Sequence, residues 1–112
     1  ALCTPADAAA GRVVVDEAAA AVGRSISREH FGVSIGYADG SLDGAVRRAI
    51  ESRSRGRPAD ELVPVGLDQL RARMEEFIDV GFSKFVVRPL RPPADWTTEL
   101  KALAGAVGDL QT

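Results

Sequence analysis

The sequence predicts an α/β fold with a parallel sheet, and three observations lead to this prediction. Two short runs have strand character, at residues 30–37 and at Lys84–Pro89. Segments with helical periodicity lie before, between and after these runs. A strand, a helical connection and a second strand in this order favour a parallel crossover. We therefore expect two parallel strands and four helices in one domain that spans residues 1–112.

The first helix is predicted for residues 5–22. Thr4 is a suitable N-cap, Pro5 suits the first helical position, and Asp7 follows the cap by three residues. Its predicted inward residues are Ala10, Val14, Ala18 and Ala21. Because the chain opens within a helix start, we expect it to be cut from a longer protein, with removal of a leader peptide as the alternative.

The first strand has one bulky face and one nearly bare face. Its bulky residues are Phe31, Val33, Ile35 and Tyr37, and they alternate with Gly32, Ser34 and Gly36. A bare face suits the entry of a flat ring, and it equally suits close packing against neighbouring side chains. Tyr37 at the strand end is expected either to line the mouth of a site or to pack under the next helix.

Two amphipathic helices are predicted between the strands. The first follows a turn at residues 39–41 and runs to an Arg-rich loop at residues 53–58. The second shows the clearest helical periodicity of apolar residues in the chain, and we expect this helix to end at Gly81. Its predicted inward residues are Leu67, Leu70, Met74, Phe77 and Ile78, and its predicted outward residues are Arg71, Arg73, Glu75, Glu76 and Asp79.

The second strand, Lys84–Pro89, is rich in β-branched residues and is expected to be buried on both faces. A last helix is predicted from Leu100, Leu103, Ala104, Val107 and Leu110, with Trp96 anchoring it. Two interior strands do not complete a parallel sheet. Roughly four to six further strands would be missing or supplied by another chain.

Composition limits the function classes. The chain has 14 Lys and Arg against 16 Asp and Glu, a formal charge of −2, so we expect neither nucleic acid nor a membrane as a partner. Cys3 is the single cysteine and no histidine cluster accompanies it, so we expect no disulfide and no metal site. No apolar run approaches the roughly 18 residues of a membrane span, and we expect a cytoplasmic protein.

Three segments resemble a known family. VGLDQL at residues 65–70, DVGF at 79–82 and SKFVVRP at 83–89 resemble the last β/α unit of luciferase-like monooxygenases. The stretch 81–89 is most similar to the actinobacterial oxidoreductases that use the deazaflavin coenzyme F420. DEAAAAVGR at residues 16–24 resembles the end of the helix that precedes the seventh strand of that family.

The resemblance implies that this chain is the C-terminal third of a (β/α)8 TIM barrel of roughly 280 to 350 residues. The whole protein would pass hydride between coenzyme F420, or alternatively FMN, and an organic substrate. It is also expected to be a homo-oligomer. The catalytic residues would lie upstream, so we expect the isolated chain to be inactive.

The resemblance places the candidate cofactor-binding residues on the two strands. Arg88 at the carboxyl end of the eighth strand would pair with an anionic group of cofactor or substrate, or form an ion pair at the barrel rim. Ser34 and Gly36 would face the flat ring. Lys84, at the opposite end of its strand, is expected to be a solvated rim residue, and His30 is expected to be structural.

A non-enzymatic role is the alternative. A small α/β module of this kind would pair its strand edges with a second copy and serve in assembly. Since two interior strands would expose apolar faces and unpaired edges, we expect that the isolated chain is not a stable monomer.

Overall fold

The computed structural model describes residues 2–111, and it has a mixed α/β fold. Two short 3-10 turns, Arg28–His30 and Gly108–Leu110, accompany the main elements. Those elements in chain order are α1 (Pro5–Ala21), β1 (Gly32–Tyr37), α2 (Gly44–Arg53), α3 (Ala59–Leu62), α4 (Gly66–Asp79), β2 (Lys84–Pro89) and α5 (Trp96–Val107).

The sheet consists of β1 and β2, paired in parallel as predicted. Their register joins Gly32 to Lys84 at one end and Tyr37 to Pro89 at the other. An isolated parallel bridge joins Ala38, the residue after β1, to Val65 on the edge that does not pair with β2. The parallel two-stranded sheet is therefore confirmed, while its origin in a barrel stays a prediction.

Two apolar clusters form the core. The larger cluster joins the bulky face of β1 to α4 and to the residues just before β2, and its buried members are Phe31, Ile35, Tyr37, Leu70, Met74, Phe77 and Phe82. Edge-to-face ring contacts link Phe31 to Phe82 and Phe82 to Phe77, at centroid separations of 6.1 and 5.9 Å. The smaller cluster packs α2 against α3, with Ala38, Leu42, Ile50, Ala59, Leu62 and Val63 buried.

α1 has the predicted bounds to within one residue, but its predicted inward face is wrong. The Thr4 hydroxyl accepts from the Asp7 amide and the Asp7 carboxylate accepts from the Thr4 amide, which completes the capping box. However, Ala10, Val14, Ala18 and Ala21 are all exposed, and α1 contains no buried residue. The helix contacts α4 through its other side, where Ala8 and Arg12 are half-buried.

α4 has the predicted inward face. Leu70, Met74 and Phe77 are buried, and Leu67 and Ile78 are half-buried. Two residues predicted to point outward, Arg71 and Arg73, are half-buried as well. The short α3 was not predicted, because a single turn is too brief to show a period; it follows Pro58 and buries Ala59 and Leu62.

The prediction that β2 is buried on both faces is wrong. Phe85, Val87 and Pro89 are half-buried, whereas Lys84, Val86 and Arg88 are exposed. In α5, Leu103 and Val107 pack against the larger cluster, but Leu100 and Ala104 are exposed. Trp96 is 52% exposed, so the indole does not anchor this helix among the described residues.

Candidate functional site

The open face of the sheet is the candidate site, and it is formed by alternate residues of both strands. The register places Gly32 beside Lys84, Ser34 beside Val86 and Gly36 beside Arg88. Because successive side chains of a strand point to opposite faces, these residues share the face opposite the larger cluster. The structure thus brings together all three predicted cofactor-binding residues, Ser34, Gly36 and Arg88.

The glycines of the open face lie close to β2 and to Leu90. A Cβ atom built on Gly32 would lie 3.1 Å from the Lys84 Cβ, and one built on Gly36 would lie 2.9 Å from the Leu90 Cδ2. A side chain at either position would therefore have to displace a neighbour. Close packing is sufficient to explain both glycines, and the shallow depression of about 490 Å³ beside Gly32 and Ser34 leaves space for a ligand as well.

Two cations lie on the open face at opposite ends of β2. Lys84 and Arg88 are both exposed, and neither forms an ion pair with any residue between 2 and 111. The expectation that Lys84 is solvated is confirmed. The ion pair considered for Arg88 is not formed within the described chain, so its guanidinium is available to an anion.

The carboxyl ends of the two strands enclose little space. A cavity of about 20 Å³ lies there between Leu42, Leu90 and Arg91, which is room for a single water molecule. Arg91 donates to the carboxylate of Asp43, the N-cap residue of α2. A hydrogen bond from the Val46 amide and the nearby Arg91 lower the pKa of Asp43. A ring-sized ligand at this end would need walls from outside these residues.

Tyr37 packs in the core and does not line the mouth of a site. Its side chain is fully buried in the larger cluster, and its hydroxyl donates to the Glu99 carboxylate in the first turn of α5. Burial raises the pKa of the Tyr37 phenol, and the neighbouring carboxylate raises it further. The sequence offered no signal for this pair, since the two residues are separated by 62 positions.

Arg12 also has a role that sequence reasoning missed. Its guanidinium donates to the carbonyl oxygens of Gly81 at 2.9 Å and Val80 at 3.3 Å, where α4 ends. The same group lies 4.6 Å from the centroid of the Phe31 ring and pairs with Asp16. Arg12 thus satisfies carbonyl groups at the end of α4 and joins α1 to the core.

His30 and Cys3 are the remaining candidates. His30 is exposed in the 3-10 turn before β1, with only Glu29 beside it. Cys3 is a free thiol, and burial raises its pKa. Among residues 2–111, no group of three or more His, Cys, Asp and Glu side chains could hold a metal ion. No described helix is both long and apolar enough to cross a membrane.

Comparisons with known proteins add no family assignment. No model of a known protein family matches the chain, and no match was found among curated proteins or solved structures.

Proposed function

We propose that this chain forms one wall of a barrel-shaped oxidoreductase of the luciferase-like type, which binds coenzyme F420 or alternatively FMN. In this proposal the open face of the sheet points into the barrel and toward the ligand. The isolated chain is inactive, because the residues that transfer protons and hydride belong to the rest of the protein.

The one-sided sheet is the observation that supports the proposal best. The helix-facing side of the strands packs on α4, while Gly32 and Val86 on the other side are exposed within residues 2–111. In a (β/α)8 barrel, strands carry helices on the outside and direct alternate side chains to the interior. The order of strand, helices, strand and helix found here is compatible with two consecutive units of such a barrel.

Arg88 would be the cofactor-binding residue with the largest energetic role. It lies next to the carboxyl end of β2, the end at which barrel enzymes place their ligands. Its exposed guanidinium has no ion-pair partner in residues 2–111. We propose that it contacts an anionic group of the cofactor, with Ser34 and Gly36 beside the ring.

The test is cofactor binding by the protein that is encoded by the longest open reading frame containing these residues. We expect the fluorescence of coenzyme F420, or of FMN, to change saturably on titration. Arg88→Ala should weaken binding by about 10-fold, as expected for one lost charge-assisted hydrogen bond. Arg53→Ala is the matched control, because Arg53 is exposed in the last turn of α2 and off the open face.

Three results separate the outcomes of this experiment. Binding of either cofactor that depends on Arg88 and not on Arg53 supports the proposal. Binding that is equal in both variants removes Arg88 from the site but leaves the oxidoreductase assignment. Failure of that protein to bind either cofactor would reject the assignment as an oxidoreductase.

Self-assembly is a second candidate, and the free edge of β2 favours it. The Lys84 and Leu90 amides donate to β1, so by alternation the peptide groups of Phe85 and Val87 point to the other side of β2. Among residues 2–111 no strand pairs with that side. Such an edge is a template for pairing with another chain.

Sedimentation velocity of the 112-residue chain over a range of concentrations tests this candidate. Pairing through β2 predicts a dimer or larger species, and Val87→Pro should shift it to monomer because proline lacks the outward N–H. A compact monomer at every concentration would reject self-assembly and also the expectation that the chain alone is not stably monomeric.

A further inference from the structure

We infer that the peptide bonds after Arg53 and Arg55 form a cleavage site for arginine-specific serine proteases, and that the cut chain remains one assembled body. This inference is independent of the proposed oxidoreductase function. It concerns the cleavage segment, residues 52–58, which consists of the last two residues of α2 and the connection to α3. Cleavage after Arg55 adds one water molecule, which leaves a carboxylate on Arg55 and an amino group on Gly56.

The cleavage segment is accessible. Ser52, Arg53, Arg55 and Gly56 are exposed, and the regular part of α2 ends at Arg53. Neither Arg53 nor Arg55 forms an ion pair with another described residue. Exposed irregular connections between elements are the preferred places for proteolytic nicking. Both arginines can therefore enter the acidic specificity pocket of such a protease without losing a partner.

The backbone at Arg55 has a strained conformation that extension relieves. Arg55 has φ of 59°, in the left-handed region, and it is the one described non-glycine residue with a positive φ. That conformation is unfavourable for an L-residue, because it brings the Cβ atom close to the following carbonyl oxygen. A protease binds its substrate in an extended conformation. Opening the segment breaks the 2.8 Å hydrogen bond from the Gly56 amide to the Glu51 carbonyl and the hydrogen bonds of the Ser54 hydroxyl to nearby carbonyls, but it releases this strain.

Arg57, only two residues further on, is protected in two ways. Its guanidinium pairs with Asp7 at 2.6 Å, which ties the end of the segment to α1. The following residue is Pro58, and proline after the scissile bond prevents cleavage because its ring replaces the N–H and blocks the normal fit in the protease. Cleavage should therefore occur after Arg53 and Arg55 and stop before Arg57.

The two halves of the cut chain should stay together because the core crosses the cut. β1 belongs to the first half and β2 to the second, and they pair along their whole length. The larger cluster likewise joins Phe31, Ile35 and Tyr37 of the first half to residues of α4 in the second. Arg12 adds hydrogen bonds from α1 to Val80 and Gly81.

Limited digestion of the 112-residue chain with trypsin tests the inference. Samples quenched over time should show, by mass spectrometry under denaturing conditions, fragments 1–53, 1–55 and their C-terminal complements. Without denaturant, size-exclusion chromatography should show these fragments eluting together at the position of the uncut chain. Combined Arg53→Gln and Arg55→Gln should abolish these fragments.

Arg24→Gln is the matched control, since Arg24 lies in the exposed connection after α1 and should be cut independently of residues 52–58. This variant should lose fragment 1–24 and keep cleavage after Arg53 and Arg55. The cleavage site would be rejected if residues 52–58 stayed intact while arginines within helices were cut. Separation of the two halves without denaturant would reject the claim that they remain assembled.

Discussion

α1 and α4 differ in how they are attached to the rest of the fold, although both sequences contain an apolar stripe. The apolar stripe of α1 consists of Ala10, Val14, Ala18 and Ala21. α4 has 14 residues and buries Leu70, Met74 and Phe77. α1 is longer, with 17 residues, and buries none. Val14 of α1 is 65% exposed, although its spacing assigned it to an inward face. Periodicity therefore identifies which residues share a helix face, but it does not establish that another surface covers that face.

The two helices are therefore held to the rest of the chain by different kinds of interaction. α4 is held mainly by burial of apolar side chains, which contributes roughly 25 cal/mol per Å² removed from water. α1 is held by the contacts of Ala8 and by polar bonds from Arg12 and Asp7 to distant parts of the chain. We therefore expect substitutions in α4 to change the free energy of unfolding far more than substitutions in the apolar stripe of α1.

The largest expected effect is that of Phe77→Ala in α4. Phe77 is fully buried and contacts the rings of Phe82 and Phe85, so its removal leaves a cavity. We expect the free energy of unfolding to fall by about 3 to 5 kcal/mol, measured by urea denaturation with circular dichroism. If this variant does not fold, Phe77→Leu should fold and show a smaller loss in the same direction.

Val14→Ala is the corresponding change in α1, and it should alter the free energy of unfolding by no more than about 0.5 kcal/mol. The comparison of the two helices would be wrong if this variant lost as much stability as the one in α4. Such a result would mean that the stripe of α1 is covered in solution.

Arg12→Ala should have the next largest effect, a loss of about 1 to 3 kcal/mol. The change removes the hydrogen bonds to the carbonyls of Val80 and Gly81 and the contact with the Phe31 ring. Arg24→Ala is the control, as its exposed side chain has no such contacts among the described residues. Equal denaturation midpoints for the two variants would show that α1 does not depend on Arg12.

Tyr37→Phe should destabilise the chain by about 1 kcal/mol, because it removes the hydrogen bond to Glu99. The folded state raises the pKa of Tyr37, so the neutral phenol is the form that stabilises the fold. That contribution is complete below the unfolded pKa of about 10 and is lost as the pH rises above it. Between pH 8 and 11, the melting temperature should therefore fall more steeply with rising pH for the wild type than for Tyr37→Phe.

A small effect is also expected for the pair of the half-buried Arg71 and the exposed Asp109, which joins α4 to the 3-10 turn after α5. The hydrogen bonds from Arg71 lower the pKa of Asp109. Stability from this pair is therefore present above the unfolded pKa of about 4 and is lost as the pH falls through the lower, folded value. Asp109→Asn should reduce the acid sensitivity of the melting temperature; an unchanged acid profile would contradict this role for the pair.

The sequence by itself determined the local structure of this protein. The capping box of Thr4 and Asp7, the bounds of β2 and the buried side of α4 all follow from interactions within a few residues of each other. Such interactions depend on backbone geometry and side-chain spacing, which a sequence displays directly. Ser34 and Gly36 could be placed on one face of β1 for the same reason, whereas the position of Arg88 beside Gly36 came from the register of the two strands.

Only the tertiary structure decided which faces are covered and which polar groups meet. α1 presents its apolar stripe to solvent, β2 buries one face instead of two, and Tyr37 reaches Glu99 instead of the mouth of a site. Each of these outcomes depends on elements that are distant along the chain. Burial and long-range hydrogen bonds are properties of two surfaces together, so the period of one segment cannot reveal the partner that covers it.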